Sequence, residues 1–397
     1  MIPGTAEEKP GAFAASRDNG PATVAASLPF ARLASFSRRG RLFRSVVIGA
    51  LFAGLAAVDF ATSPDLSFLV FYILPVLLAS WFLGRRQGLL LSFASVGVWT
   101  LDDILTHRVY AGLGIPIWNR AGELAFFVFL AWLAGVLKEA LEREVRERTE
   151  HLERDLAMAR DVQASLLPPR HLEGGRFSVA VECRQVYGVG GDVYDVQTLD
   201  TGALFVSIGD VSGKGMAAAL LMSSFLASLR LLLGVHADRL DQLAAELSER
   251  LRTSLATPRF VTAFVGVVED GWLRYVNAGH NPGFLLVQGE GPDAAVSLHS
   301  TGTVLGLIPG ARFREERVPF PPGALLVLYT DGLSECANPG GEELGTPRLL
   351  AIAAGSAGLP ADVVERLLGA ATAHAAGEPF GDDITILCVR RNETSEA

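Results

Sequence analysis

A chain of 397 residues is long for one domain, and with 50% of its residues apolar and a mean hydropathy of +0.33 it is unusually apolar for a wholly soluble protein. The formal net charge of -9, with no basic stripe in the C-terminal half, argues against a nucleic-acid surface. Three cysteines, Cys183, Cys336 and Cys388, form no C-x-x-C pair and suit a reducing cytosol.

Residues 1–43 mix Ala, Pro, Gly and scattered charge without periodicity and read as a disordered cytoplasmic tail. The apolar surplus follows in four runs, 46–58, 66–83, 88–101 and 124–137. Several are shorter than the ~20 residues that span a bilayer comfortably, but four in succession, separated by short charged or proline-containing turns, read as a four-span transmembrane module over 44–137. Arg38, Arg39, Arg41 and Arg44 precede the first run, Arg85 and Arg86 separate the second from the third, and Lys138, Arg143, Arg146 and Arg148 follow the fourth. The turn at 62–65 carries no base, so the positive-inside bias places both termini in the cytoplasm and the chain in the inner (cytoplasmic) membrane, in contact with its lipid. The first run lies too deep and lacks a cleavage site for a signal peptide. Asp59, Asp102, Asp103 and Glu123 fall near the outer ends of their runs, where interfacial water can hydrate them.

Residues 138–165 read as one charged helix with an apolar stripe at Leu141, Val145, Leu152, Leu156, Ala159 and Val162. Its mixed steps predict a coiled coil with a stutter, hence a homodimer through this linker helix. Leu166-Leu167-Pro168-Pro169 ends it. Beyond lies a domain over 166–391, with 392–397 as a flexible tail. Strands are expected at 177–183, 203–208, 261–268, 272–277, 325–329 and 384–389, and helices at 216–233, 240–254, 346–354 and 360–374. Strands that follow one another without intervening helices favour a layered α+β domain over a doubly wound parallel sheet.

Four short stretches in this domain set an aspartate beside glycine: Gly190-Gly191-Asp192, Gly209-Asp210-Val211-Ser212-Gly213-Lys214-Gly215, Thr330-Asp331-Gly332 and Gly381-Asp382-Asp383. Aspartates flanked by glycines that turn the backbone tightly are a way to build a hard-cation site from oxygen ligands. Carboxylates gathered with no Lys or Arg among them would repel strongly unless a divalent ion sat between them. The strand, glycine loop and helix around Asp210 fit neither a P-loop, since Gly215 follows Lys214, nor a dinucleotide fold, since no second strand ending in an acid follows the helix.

The same half of the chain resembles the bacterial metal-dependent protein phosphatases of the PP2C superfamily, in the branch of the stage II sporulation phosphatase and the stress-response regulatory phosphatases. The resemblance runs in order through Ala159–Pro168, Gly190–Asp195, the Asp210 loop, Phe260–Phe264, Asn277–Pro282, Tyr329–Glu335 and Gly381–Thr385, covering residues 159–390. It implies an αββα sandwich holding two divalent cations, Mn²⁺ or Mg²⁺. Carried over by motif, Asp192, Asp210, Asp331 and Asp382 would be the metal and catalytic carboxylates, with the Val211 carbonyl as a further ligand. Asp383 neighbours Asp382 on a strand, where only one of the two faces the metals readily. Asp195 reads as a hydrogen-bonding residue and His280 as a turn residue shaped by Gly279 and Pro282. No arginine stands out to clamp a substrate phosphate. The implied activity is dephosphorylation of phosphoserine or phosphothreonine, the implied partner a phosphorylated STAS-type anti-sigma-factor antagonist. A catalytically silent docking module and a hydrolase of small phosphoesters are the alternative readings.

Overall fold

The computed structural model describes residues 40–62, 68–106, 112, 114–172, 175–254, 259–287, 294–355 and 359–392. The expected tails lie outside these residues except at 40–43 and Asn392, as does most of the 62–65 turn. The chain divides into two compact units between Glu150 and His151.

In the first unit the apolar runs form α1 (Arg41–Ala61), α2 (Leu69–Phe82), α3 (Arg85–Leu105) and the first part of α4 (Gly114–Leu166). Tyr72, Val76, Phe127 and Ala131 form its buried centre. Gly88 lets α3 pass close to α2, because a Cβ there would meet the Ser80 hydroxyl at 1.8 Å. By length and composition α1, α3 and α4 could each cross a membrane, whereas α2, at 14 residues with Pro75 inside it, is shorter. Outward side chains such as Val70, Leu90 and Trp118 are largely exposed, as expected of a surface turned to an apolar medium. Three of the acidic residues of the runs have protein partners. Arg120 pairs with Asp103 and, at 2.6 Å, with Glu123, and Tyr72 donates to Asp59 at 3.0 Å.

The second unit is a sandwich of two antiparallel sheets. Sheet order β1-β2-β11-β10-β7-β8 joins His171–Leu172, Phe177–Arg184, Ile384–Arg391, Leu325–Tyr329, Gly283–Leu286 and Val296–Leu298. Order β3-β4-β5-β6-β9 joins Val193–Thr198, Leu204–Val211, Val261–Glu269, Trp272–Ala278 and Glu316–Pro319. Side-chain alternation along each strand explains the layering. In β4, Leu204, Val206 and Ile208 point between the sheets, where they meet Phe264, Tyr275, Leu326, Leu328 and Leu387. Phe205 and Val211 point the other way, onto α5 (Met216–His236) and α6 (Leu240–Ser254). On the opposite outer face, Val327, Ile386 and Cys388 pack against α8 (Thr346–Ala354) and α9 (Pro360–Ala375). Strands buried on both faces read as unbroken apolar runs, and each large side chain so buried contributes about 1.5–3 kcal/mol. The order helix, sheet, sheet, helix is the expected αββα arrangement. Helix α5 is also long and apolar enough for a membrane, but half of its apolar window is buried in this sandwich.

Candidate active site

Chain direction brings the four aspartate stretches to one edge. Asp192 immediately precedes β3 and Asp210 lies at the end of β4; because Val193 pairs with Gly209, the two are neighbours across the strand pair. In the other sheet Asp331 follows β10, opening α7 (Asp331–Ser334), and Asp382 and Asp383 precede β11, its antiparallel partner. Hydrogen bonds close the gap between the sheets. The hydroxyls of Thr330 and Thr385 donate to Asp192 Oδ2 at 2.8 and 2.7 Å, and the Thr385 N–H donates to Thr330 Oγ1 at 2.9 Å.

The electrostatics is that of crowded like charges. Burial, then the nearby Asp210, push Asp192 well above the usual carboxylate range, against the two threonine donors. Burial, then Asp331, Asp382 and Asp383, raise Asp210 to about 7. Asp331 is raised by burial and then by Asp382. Glycine makes this crowding possible: a Cβ at Gly191 would stand 2.8 Å from the Val211 carbonyl and 3.2 Å from Asp210 Oδ1. Carboxylates plus a bare carbonyl are the donor set of a hard, oxygen-seeking cation, and their mutual repulsion is what such a cation relieves. Among the described residues no three His, Cys, Asp or Glu side chains converge closely enough to hold an ion as they stand. The reason is visible in their partners, since Asp192 faces two threonines and Asp382 faces Lys214.

The comparisons with known proteins concern the domain that carries these residues. Residues 200–392 match the family described as Stage II sporulation protein E (SpoIIE). The sandwich domain is thus similar to the SpoIIE-type PP2C phosphatases. Protein IcfG of Synechocystis is 27% identical over 310 residues, which are 69% of this chain and 47% of its own length. Phosphoserine phosphatase RsbU of Bacillus subtilis is 25% identical over 196 residues, 48% of this chain and 57% of its own. The chain thus spans about half the length of the curated relatives it matches. The SiaA-PP2C domain of Pseudomonas aeruginosa, 21% identical, superposes with a TM-score of 0.54 over 62% of this chain and 99% of its own, which shows the shared fold.

Several residues of the PP2C domain act on the site without being carboxylates of the cluster. Asp383 is 8% exposed and accepts from the backbone N–H groups of Val186 at 2.8 Å and Gly191 at 3.0 Å, so it braces the loop that carries Asp192. Gln163, near the end of α4, braces the same loop through Gly190. Asp195 is fully buried and bound by Arg230 of α5 through two 2.9 Å contacts, away from the cluster, in keeping with its reading as a hydrogen-bonding residue. His280 is a buried turn residue: its N–H donates to Asn277 Oδ1 at 2.8 Å, its Nδ1 lies 2.9 Å from the Thr262 hydroxyl, and burial lowers its pKa to about 4. Burial thus disfavours its doubly protonated, charged form. The expectation of a cluster without a cation needs correcting, because Lys214 Nζ sits 2.8 Å from Asp382 Oδ2. Only the fold could reveal this pair, since 167 positions separate Lys214 from its neighbouring acceptor Gly381.

Proposed function

We propose that this chain is a membrane-anchored, metal-dependent phosphoserine/phosphothreonine protein phosphatase. The observation that carries this reading is the edge of the sandwich shared by Asp192, Asp210, Asp331 and Asp382, where burial and neighbouring carboxylates raise the first three and Lys214 is the cation paired with the fourth. These four carboxylates and the Val211 carbonyl would hold two divalent cations, Mn²⁺ or Mg²⁺. Two such cations supply a water activated for in-line attack on phosphorus and neutralise the phosphoryl oxygens. The protein's own part is positioning. Thr330 and Thr385 fix the Asp192 carboxylate, Asp383 and Gln163 fix the loop behind it, and the half-exposed Asp382 side faces incoming substrate.

The proposed substrate is a phosphorylated regulatory protein of the STAS-type anti-sigma-factor antagonist class, a reading supported by the likeness to RsbU, itself named a phosphoserine phosphatase. Residues 44–137 would anchor the chain in the inner membrane in contact with lipid, with the catalytic domain, 166–391, cytoplasmic. Residues 138–165 would pair two chains, since Leu141, Val145, Leu152, Leu156 and Val162 present an exposed apolar stripe. The test is Mn²⁺-dependent release of phosphate from a phosphoserine protein, set against a small phosphoester. Turnover that persists under chelation, or that Asp210→Asn leaves intact, refutes the reading, and preference for the small ester reassigns the substrate.

A further inference from the structure

Lys214 stands in the turn between β4 and α5, flanked by two glycines with positive φ, Gly213 at 104° and Gly215 at 70°. Those glycines let the chain reverse so that the lysine reaches across to the other sheet. Its ammonium lies 2.8 Å from Asp382 Oδ2 and 2.9 Å from the Gly381 carbonyl, with the Tyr187 ring centroid 5.9 Å away. The side chains of the pair are 49% and 47% exposed, whereas Asp192 on the inner side of the cluster is 1% exposed. Lys214 therefore occupies the solvent side of the carboxylates, the side from which a phosphate ester arrives. Other cations near this loop are engaged elsewhere: Arg230 with Asp195, and Arg259 with the Ser212 carbonyl at 3.2 Å.

We propose that Lys214 is the cation that binds the substrate's phosphate. This deepens the phosphatase reading, on which it rests, by naming the residue that recognises the phosphoryl group. An ion pair this exposed is weak, so Lys214 gives up Asp382 at little cost once that carboxylate is engaged by a metal. An ammonium has three donors on a flexible stem. One keeps the Gly381 carbonyl, which holds the side chain at the mouth of the site, and the others turn to the phosphoryl oxygens. A phosphate dianion is the strongest acceptor such a group meets, and a charge-assisted bond to it exceeds the pair it replaces. The lysine does the work the sequence offers no arginine for.

The experiment uses the full-length protein in detergent or nanodiscs, as wild type, Lys214→Met and Lys214→Arg, at saturating Mn²⁺. The probes are inorganic phosphate as a competitive inhibitor, a phosphoserine peptide as substrate, and Mn²⁺ alone by calorimetry. Lys214→Met should weaken phosphate inhibition and raise KM by about 10- to 100-fold, the worth of one charge-assisted bond, with kcat changed less. Mn²⁺ should bind as tightly or more tightly, because the ammonium that competes for Asp382 is gone. Lys214→Arg should restore most of the phosphate affinity. Unchanged phosphate inhibition in Lys214→Met overturns the proposal. Loss of Mn²⁺ binding in that variant also overturns it, since Lys214 would then serve the loop and not the phosphate. A wild type that binds Mn²⁺ yet shows neither turnover nor phosphate inhibition refutes the phosphatase reading itself, a result separate from anything the variants do.

Discussion

Gln163 offers a direct way to ask whether the end of the long helix governs the metal loop. It is 3% exposed, and both ends of its amide engage Gly190: Nε2 donates to the carbonyl at 2.8 Å, and Oε1 accepts from the N–H at 3.2 Å. Gly190 is itself buried, two residues before Asp192. Gln163→Leu keeps the bulk but removes both partners, leaving one buried N–H and one buried carbonyl unpaired. Each orphaned group costs about 1–3 kcal/mol, so the loop's present position loses roughly 2–6 kcal/mol, less whatever relaxation toward water returns. Even about 3 kcal/mol is more than a hundredfold in the loop's equilibrium. The penalty falls on the segment that delivers Asp192 and spares the sandwich core, so it should emerge as weaker Mn²⁺ binding and lower turnover, with only a modest fall in melting temperature. Gln163→Glu, which can accept from the Gly190 N–H but cannot donate to its carbonyl when ionised, should lie between wild type and leucine. The assay is calorimetric Mn²⁺ titration beside phosphoprotein turnover and a thermal melt. Mn²⁺ affinity within a few-fold of wild type in Gln163→Leu would refute the claim that the helix end positions the loop.

Asp192→Asn and Asp210→Asn should each abolish most Mn²⁺-dependent turnover while leaving the melting temperature in EDTA equal or higher, because a repulsion is relieved. The same repulsion predicts a pH dependence. Asp210 titrates near 7 in the fold, above an unfolded value of about 3.9, so its contribution to stability is complete below the unfolded value and lost as pH rises through about 7; melting temperature in EDTA should fall across that window, and Mn²⁺ should flatten the profile. Gly332→Ala would place a Cβ 2.0 Å from the backbone carbonyl of Asp383, which has no side-chain freedom to retreat, so chemical denaturation should show a loss of about 1–3 kcal/mol and Mn²⁺ binding should weaken with it. One residue inserted near Glu150 turns the helix beyond it by about 100°, whereas seven nearly restore the facing. Phosphatase activity in the membrane-embedded protein should change sharply for the first and little for the second, and equal activity in both would leave the membrane half as an anchor alone.

What the sequence makes legible follows from what periodicity and glycine can report. Helices α6 and α8 and strand β10 match their expected spans, and the six expected strands all form, because each holds apolar side chains at alternate positions or throughout. Strands β1, β3, β7, β8 and β9 escape notice for identifiable reasons. β3 carries Asp195 and Gln197, which look like loop residues until the bond between Asp195 and Arg230 of α5 makes the aspartate a core residue. β1, β7, β8 and β9 are two to four residues long, too short for a period to show. In the N-terminal unit the apolar runs are plain, but run length misjudges the helices in both directions. α1 and α3 extend through flanking charged residues, while α2 stops at 14 residues. The carboxylate stretches were visible because glycine marks them. Gln163 and Thr385 carry no such mark, Thr330 and Lys214 stand inside marked stretches without a visible role, and only the fold gives the four their partners.

The chemistry of the site depends on how adjacent residues divide their work. At the entry to β11, Asp382 turns outward to Lys214 while Asp383 turns inward to two backbone N–H groups. At the exit of β10, Thr330 turns inward to Asp192 while Asp331 opens α7 with its carboxylate in the field of Asp382. Around the start of β3, Asp192 faces the threonines and Asp195, three positions on, faces Arg230. Each time, alternation along the backbone sends one polar group toward the cluster and its companion into the scaffold. Asp192, Asp210 and Asp331 are held above the ordinary carboxylate range by burial and then by neighbouring carboxylates, a tension that has to be borne by well-bonded groups directly behind them. The paired motif is therefore a unit: removing the Asp383 carboxylate, or shifting the pair by one position, would leave the loop over Gly190 and Gly191 without its anchor.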